Sequence, residues 1–409
     1  MISHEVKYIM TKNNRKGIVP SYIDNFKCVG EDCEDSCCQS WTVYIDKTTY
    51  KKYAKLGLTK NIKRSKKNSD FSYAKITLDD HGKCPFLQDS LCGIQKKYGE
   101  SLLSSTCHTY PRKWNYIDGR VEVSGTLSCP ELARNVLLQE DGIILNEKEV
   151  EYVSPELLQV KLLCEPTRNK LFHIHDVRLF ILSLLQYRKY NISERLWILG
   201  MFISEYEKLD DNGEQVQRLI QQYITKIESM TYKNILDQFP NKTLFLLKWF
   251  TNFQNLAFSK YNNKRFIECN EAFRHGMGLD LEGIDDNRII ERYEELKTKY
   301  FDPFIKENEY LFENFVVHFV YTNVMPYNDA KISPFSQYME LMINVTLLNV
   351  YLIGISGSTN GLSTELVVKV VQTLSRKMAH SATLIPLCIN SLKANGVNNM
   401  SAATICIKL

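Results

Sequence analysis

Beyond about residue 150, apolar positions recur at intervals of three and four, the spacing that gives a helix one buried face. Val177, Phe180, Ile181, Leu184 and Leu185 make such a face, with Asp176 expected as its N-cap. Ser193 is expected to open a second helix, which carries Leu196, Trp197, Leu199, Gly200, Phe202 and Ile203. A third face joins Leu311, Phe312, Phe315, Val316, Phe319 and Val320, an aromatic stripe that reads as core. Ser363 precedes a fourth, built from Leu366, Val367, Val370, Val371, Leu374 and Met378. Connectors fall at Asp210–Gly213, Phe239-Pro240-Asn241 and Asn323–Tyr327. The most apolar stretch, Leu341–Ile355, includes Asn344, Thr346 and Asn349. It is shorter than the roughly 20 apolar residues a spanning helix needs, so it reads as a core helix and no membrane insertion is expected.

The first 140 residues have another texture. Short strands are expected at Trp41–Ile45 and Arg120–Val123, the second opened by an Asp118-Gly119 turn, and helices at Thr48–Leu56 and Pro130–Gln139. There is no internal repeat. The expected fold is mainly α: a small, irregular, cysteine-rich region over 1–140 with a few short strands, then an α-helical domain over 141–409.

Charge changes little in this picture. Fifty-one basic residues against 47 acidic ones leave +4, too little over 409 residues to indicate a nucleic-acid binder. The basic run over 46–67 reads as solvated surface, the alternative being a dock for an acidic partner. Cysteine changes more. Of twelve, eight (Cys28, Cys33, Cys37, Cys38, Cys84, Cys92, Cys107, Cys129) precede residue 130, while Cys164, Cys269, Cys388 and Cys406 are scattered and read as core thiols. The N-terminus holds no apolar run of signal-peptide length, so a cytoplasmic protein is expected, whose clustered thiols bind metal rather than form disulfides.

Four thiols in eleven residues, Cys28 to Cys38, with Gly30 among them, can wrap back on one centre. Zinc sites commonly use paired C-x-x-C knuckles, and none occurs here. Irregular thiolate-only spacing suits an iron–sulfur cluster better, with zinc the alternative. His108 is expected to hydrogen-bond rather than ligate. His173 and His175 alternate as on a strand, without a further ligand. Eight thiols exceed one four-ligand centre, leaving supporting thiols or a second centre open.

The ordered elements Cys28…Cys33…Cys37-Cys38…Trp41, Cys84-Pro-Phe-Leu…Leu91-Cys92-Gly-Ile, Cys107-His-Thr-Tyr110-Pro-Arg112 and Leu127-Ser-Cys129-Pro resemble the flagellin lysine-N-methylases of flagellated bacteria. The cysteine-rich part is also similar to a broader CxxCxxCC-type group of metal or iron–sulfur proteins. The resemblance implies methyl transfer from S-adenosylmethionine to flagellin lysines, with a 4Fe–4S cluster. It also implies a ligand pool of Cys28, Cys33, Cys37, Cys38, Cys84, Cys92 and Cys107, with Tyr110 and Arg112 supporting the cluster loop. Catalytic residues are not identified. The sequence has no Gly-rich strand-to-helix turn of the kind that cradles adenosylmethionine in Rossmann-like enzymes, Gly354-Ile-Ser-Gly357 being the lone candidate. The Cys33–Cys37 spacing begins a radical-enzyme loop whose third position falls on Ser40. Two other readings stand beside the enzyme: a structural-zinc scaffold that recruits a partner, and a metal chaperone or redox carrier.

Overall fold

A computed structural model describes residues 15–39, 41–67, 69–88, 91–150, 157–162, 173–209, 213–258, 263–280, 285–327, 332–379, 386–387, 389–390 and 400–407. Cys164, Cys388, Ser40 and positions 210–212 of one expected connector lie outside these residues. The architecture is mainly α, and a sheet larger than expected sits under the helices.

Ten strands occur among the described residues: β1 Arg15–Pro20, β2 Tyr44–Ile45, β3 Ile62–Arg64, β4 Ala74–Ile76, β5 Leu87–Gln88, β6 Leu91–Cys92, β7 Arg112–Ile117, β8 Arg120–Gly125, β9 Leu145–Val150 and β10 Leu158–Leu162. Five of them form a mixed sheet in the order β10-β7-β8-β1-β9. The β7–β8 hairpin turns at Asp118 and Gly119, both at positive φ (41° and 86°), as the Asp-Gly dipeptide predicts. β1 runs parallel to β8 and antiparallel to β9. The chain is therefore still extended at residue 162, and helices begin later than the sequence pattern suggests. Near the N-terminus, the expected Trp41–Ile45 strand shrinks to β2, because the Trp41 indole N–H donates to the Cys37 carbonyl at 2.5 Å and serves the cysteine loop instead.

Short helices α1 Ser21–Asp24, α2 Lys47–Lys55, α3 Gly93–Tyr98, α4 Ser105–Thr109 and α5 Pro130–Leu137 accompany the strands. Long ones follow: α6 Ile174–Leu185, α7 Ile192–Glu207, α8 Gly213–Glu228, α9 Thr243–Phe258 and α10 Lys264–Gly276. The last are α11 Asp286–Leu296, α12 Asp302–Thr322, α13 Pro334–Thr359, α14 Thr364–Ala379 and α15 Met400–Ile407, with a π turn, Lys297–Phe301, between α11 and α12. Caps decide the starts. Ser363, which precedes the apolar face, caps α14, its Oγ accepting from the Leu366 amide. Ser193 does not open α7; Asn191 does, in a reciprocal capping box with Glu194. Asp176 does not cap α6 either. It lies in the first turn, where its carboxylate accepts from Gln217 Nε2 at 2.6 Å and faces His173 Nδ1. His173 and His175 stand at this helix start, not on a strand.

α13 is the spine. It is long and apolar enough to cross a bilayer by length and composition, yet 83% of its apolar window is buried within the fold. It packs against α7, α10, α11, α12, α14 and α15. Gly354 and Gly357, the lone candidate for a cofactor turn in a sequence without a clear one, lie inside this helix. A Cβ on the facing Gly276 of α10 would come within 1.9 Å of the Gly354 carbonyl, so these glycines let two helix backbones touch and cradle nothing. Phe312 and Phe315 are buried as the stripe predicts, as are Cys269 and Cys406.

Buried polar groups tie the sheet to α12. Tyr321 Oη donates to the Ile18 carbonyl, and Asn115 Nδ2 donates to that of Thr322. His318 Nδ1 pairs with the buried Tyr22 hydroxyl at 3.1 Å. Arg195, fully buried, binds Glu313 at 2.6 Å and Glu309 at 2.8 Å, fixing α7 to α12.

Two outcomes follow from this packing. Gly276→Ala pushes a methyl group into backbone that cannot yield, and urea denaturation should read a loss of about 1–3 kcal/mol. His318 is held neutral: burial, with Lys113 adding to it, lowers its pKa from 6.5 to about 3. The unfolded chain therefore takes up a proton below pH 6.5 that the folded chain refuses until about pH 3. The stabilisation is complete above the unfolded value and is lost, at about 1.4 kcal/mol per pH unit, as pH falls through that window. His318→Gln should remove that slope in denaturation series at pH 7, 6 and 5.

Candidate metal centre

A small second core carries the cysteine motifs. Val43, Ile45, Tyr53, Ile62, Ala74, Ile76, Cys84 and Ile94 are its buried members, with Cys38, Cys92 and Cys107 packed against it. Asp46 joins its parts. One carboxylate oxygen caps α2 through the Thr49 amide at 2.8 Å, and the other accepts from the Ser105 amide and hydroxyl at the start of α4. Burial works against that charge, but the hydrogen bonds win and hold the carboxyl below its ordinary value. Ser104 caps α4 by accepting from the Cys107 amide.

Cys28, Cys33, Cys37, Cys38, Cys92, Cys107 and Cys129 all line one cleft of about 430 Å³. Cys84 lies outside it, in a neighbouring recess with Gln39 and Lys83, though its amide donates to the Cys38 carbonyl at 2.8 Å. Thus six of the seven expected ligands share the cleft, and Cys129 joins them. Among the described residues, no three His, Cys, Asp or Glu side chains converge closely enough to hold an ion as they stand. The donor set nevertheless fits a soft-metal centre in kind, being almost all sulfur.

The thiols differ electrostatically. The Cys38 thiol lies beside those of Cys37 and Cys92, and sharing its one proton with these neighbours raises its pKa. Hydrogen bonding from Cys38 lowers the pKa of Cys37, and Arg376 adds to the effect. The same donor brings Cys92 down to about 6, helped by amides at the start of α3. Burial raises Cys84 to about 11, and Cys107 and Cys129 each to about 12. One thiolate-prone pair thus flanks a protonated neighbour, the disposition that readies thiols for a cation.

What holds this cleft comes from far along the chain. Asp35 and Arg376 are 7% and 3% exposed and form an ion pair at 2.6 Å. Arg376 also donates to the carbonyls of Ser36 and Gln39, on both sides of Cys37-Cys38. Gln372, one turn earlier on α14, donates to Asp35 at 2.8 Å and to the Ser128 carbonyl at 3.0 Å, beside Cys129. Tyr110 Oη pairs with Ser128 Oγ, and the Tyr110 ring lies 5.7 Å from that of Trp41. Arg112 sits over the Phe26 ring. Both residues therefore brace the cysteine loops. His108 pairs at 3.4 Å with Glu100 on the surface. Sequence reasoning missed Asp35, Gln372 and Arg376; the only trace was an acidic residue inside the cysteine run, ordinary in a loop.

Arg376→Met leaves Asp35 as a lone buried charge and should destabilise the protein by about 3–5 kcal/mol. The double variant Asp35→Asn/Arg376→Met should regain much of that in urea denaturation. Equal losses in single and double variants would mean that the charges are not coupled.

No solved structure matches the chain. Among curated proteins it is 27% identical to the lysine-N-methylase of Salmonella choleraesuis over 77% of this chain and 80% of that one. The Salmonella typhimurium lysine-N-methylase matches to the same extent. The flagellar biosynthetic protein FliU of Salmonella muenchen is 37% identical over 32% of this chain and 82% of its own length. The family model described as the FliB lysine N-methylase C-terminal domain matches residues 178–406, the helical region that carries Arg376 and Gln372. With more than half of its length matched, the chain belongs to the FliB lysine N-methylase family.

Proposed function

We propose that the chain transfers a methyl group from S-adenosylmethionine to lysine ε-amines of flagellin, in the cytoplasm before export, with an iron–sulfur cluster at the cysteine cleft. The observation that carries the reading is the gathering of seven thiols on one cleft in a member of a lysine N-methylase family. The flagellar name of one relative supports flagellin as the substrate.

In the transfer, the sulfonium S–CH3 bond breaks as an N–CH3 bond forms, leaving S-adenosylhomocysteine. The amine attacks with its lone pair, so the lysine must first give its proton to a carboxylate, phenolate or water. Cys28, Cys33, Cys37, Cys38, Cys92, Cys107 and Cys129, which line the cleft, are the pool that would hold the cluster, with Cys84 beside it in the neighbouring recess. When bound, such a cluster supplies a thiolate-anchored cross-link between loops and a one-electron couple. The chain's own part is to fix the donors: Arg376 and Gln372 pin the loop of Cys33, Cys37 and Cys38, while Ser104 and Asp46 fix that of Cys107.

Anaerobically purified protein should contain iron and acid-labile sulfide, and should label flagellin lysines from methyl-labelled S-adenosylmethionine. Cys92→Ala should lose iron and sulfide, whereas Cys406→Ala, a buried thiol of α15, should keep both. Zinc without sulfide in the wild-type protein would overturn the cluster. Absence of label on lysine under reducing conditions would overturn the activity.

A further inference from the structure

Two cavities meet where α7, α11, α12, α13 and α15 come together, away from the cysteine cleft in lining and chemistry. Each is about 370 Å³, within the range of roughly 300–1,000 Å³ that ligand sites occupy. They share Asn191, Ser193 and Ile407 as common walls, so they are adjoining chambers. The first has an aromatic floor of Phe301, Phe312 and Phe315, each at most 6% exposed. The second is charged, with Lys242 and Lys297 beside Asp237 and Glu294. The Lys297–Asp302 ion pair, 2.9 Å long, joins a residue of one chamber to a residue of the other.

Each chamber also contains a polar atom that, among the described residues, has no partner. Asn349, 8% exposed, lines the first, and its Oδ1 has no hydrogen-bond partner. Tyr293, 1% exposed, lines the second, and its hydroxyl has none. A buried polar atom without a partner costs about 1–3 kcal/mol, so a chain that keeps two of them beside adjoining cavities is set up for a ligand that satisfies both. The π turn Lys297–Phe301 lies at the same place and supplies one residue to each chamber; such turns concentrate at functional sites.

The two chambers specify a bipartite ligand. An aromatic floor with an unpaired acceptor suits a flat base whose exocyclic amine donates to Asn349 Oδ1. Paired charges of both signs suit a zwitterionic amino-acid tail, its carboxylate toward the lysines and its ammonium toward Asp237 and Glu294. We propose that these chambers bind the adenosine and amino-acid halves of S-adenosylmethionine. This placement rests on the methyl donor named in the proposed function and adds to it the site and the residues.

The test uses the full-length protein, purified anaerobically, and S-adenosylhomocysteine as the probe, with Kd read by equilibrium dialysis. Asn349→Leu and Tyr293→Phe each remove one unpaired atom. Each should weaken binding about five- to tenfold, while the ligand-free protein melts at the same temperature or higher and keeps its iron content. A purely structural role for these side chains predicts the reverse: lower melting and unchanged Kd. Ser193→Trp, on the shared wall, should abolish binding. Wild-type affinity in all three variants would overturn the placement and leave the methyl donor standing. Absence of probe binding to the wild-type protein, together with no transfer of label from S-adenosylmethionine, would overturn both.

Discussion

The ion pair between Asp35 and Arg376 is the constraint on which the cysteine cleft depends. Taking two charges out of water is expensive, and their mutual attraction offsets that only when the remaining donors and acceptors are also satisfied. Asp35 receives Gln372 and Asn263 besides Arg376 Nη1, and Arg376 Nη2 donates to two loop carbonyls. The result is a loop whose backbone is held at Ser36 and Gln39 by a helix more than 330 residues further along the chain. Thiols on such a loop are positioned by the helical region, and cannot settle independently of it.

This dependence has a physical origin in size. The core beneath the cysteine motifs has eight fully buried apolar members, too few to hold a loop-rich segment against its conformational entropy. Three supports add to it: the Asp46 junction between two short helices, the Trp41–Tyr110 ring contact, and the α14 clamp. A thiolate-bound centre would be a fourth. The main core is large by contrast and draws on both ends of the chain, from Val19 to Ile407.

Periodicity made the helices legible. The faces of α6, α7, α12 and α14 follow from three- and four-residue spacing, because burying one stripe is what stabilises a packed helix. Helix starts were less legible. Asn191 outcompetes Ser193 because Glu194 completes a reciprocal box, and Asp176 is drawn away from the backbone by Gln217. Of the five-stranded sheet only β8 was legible, through its Asp-Gly turn; β1, β7, β9 and β10 went unread because they carry Arg, Lys, Asn and Glu among their apolar residues. Asn115 and Glu122 become tolerable there only by pairing with Thr322 and Arg178 across the fold. Gly354 and Gly357 looked like a cofactor turn, since a glycine pair reads the same whether a phosphate or another helix approaches it.

By itself, then, the sequence determined the helical character of the later chain and the concentration of thiols before residue 130, together with the order of motifs in which the family resemblance was already visible. These are local properties, set by spacing and side-chain chemistry along a continuous stretch. Only the tertiary structure decided that Cys129 faces the cleft and Cys84 does not, that Arg376 answers Asp35, and that Asn349 and Tyr293 are left unpaired beside adjoining cavities. Each of those facts is a relation between groups dozens to hundreds of residues apart. No local pattern encodes it, because burial and pairing exist only once the distant segments have met.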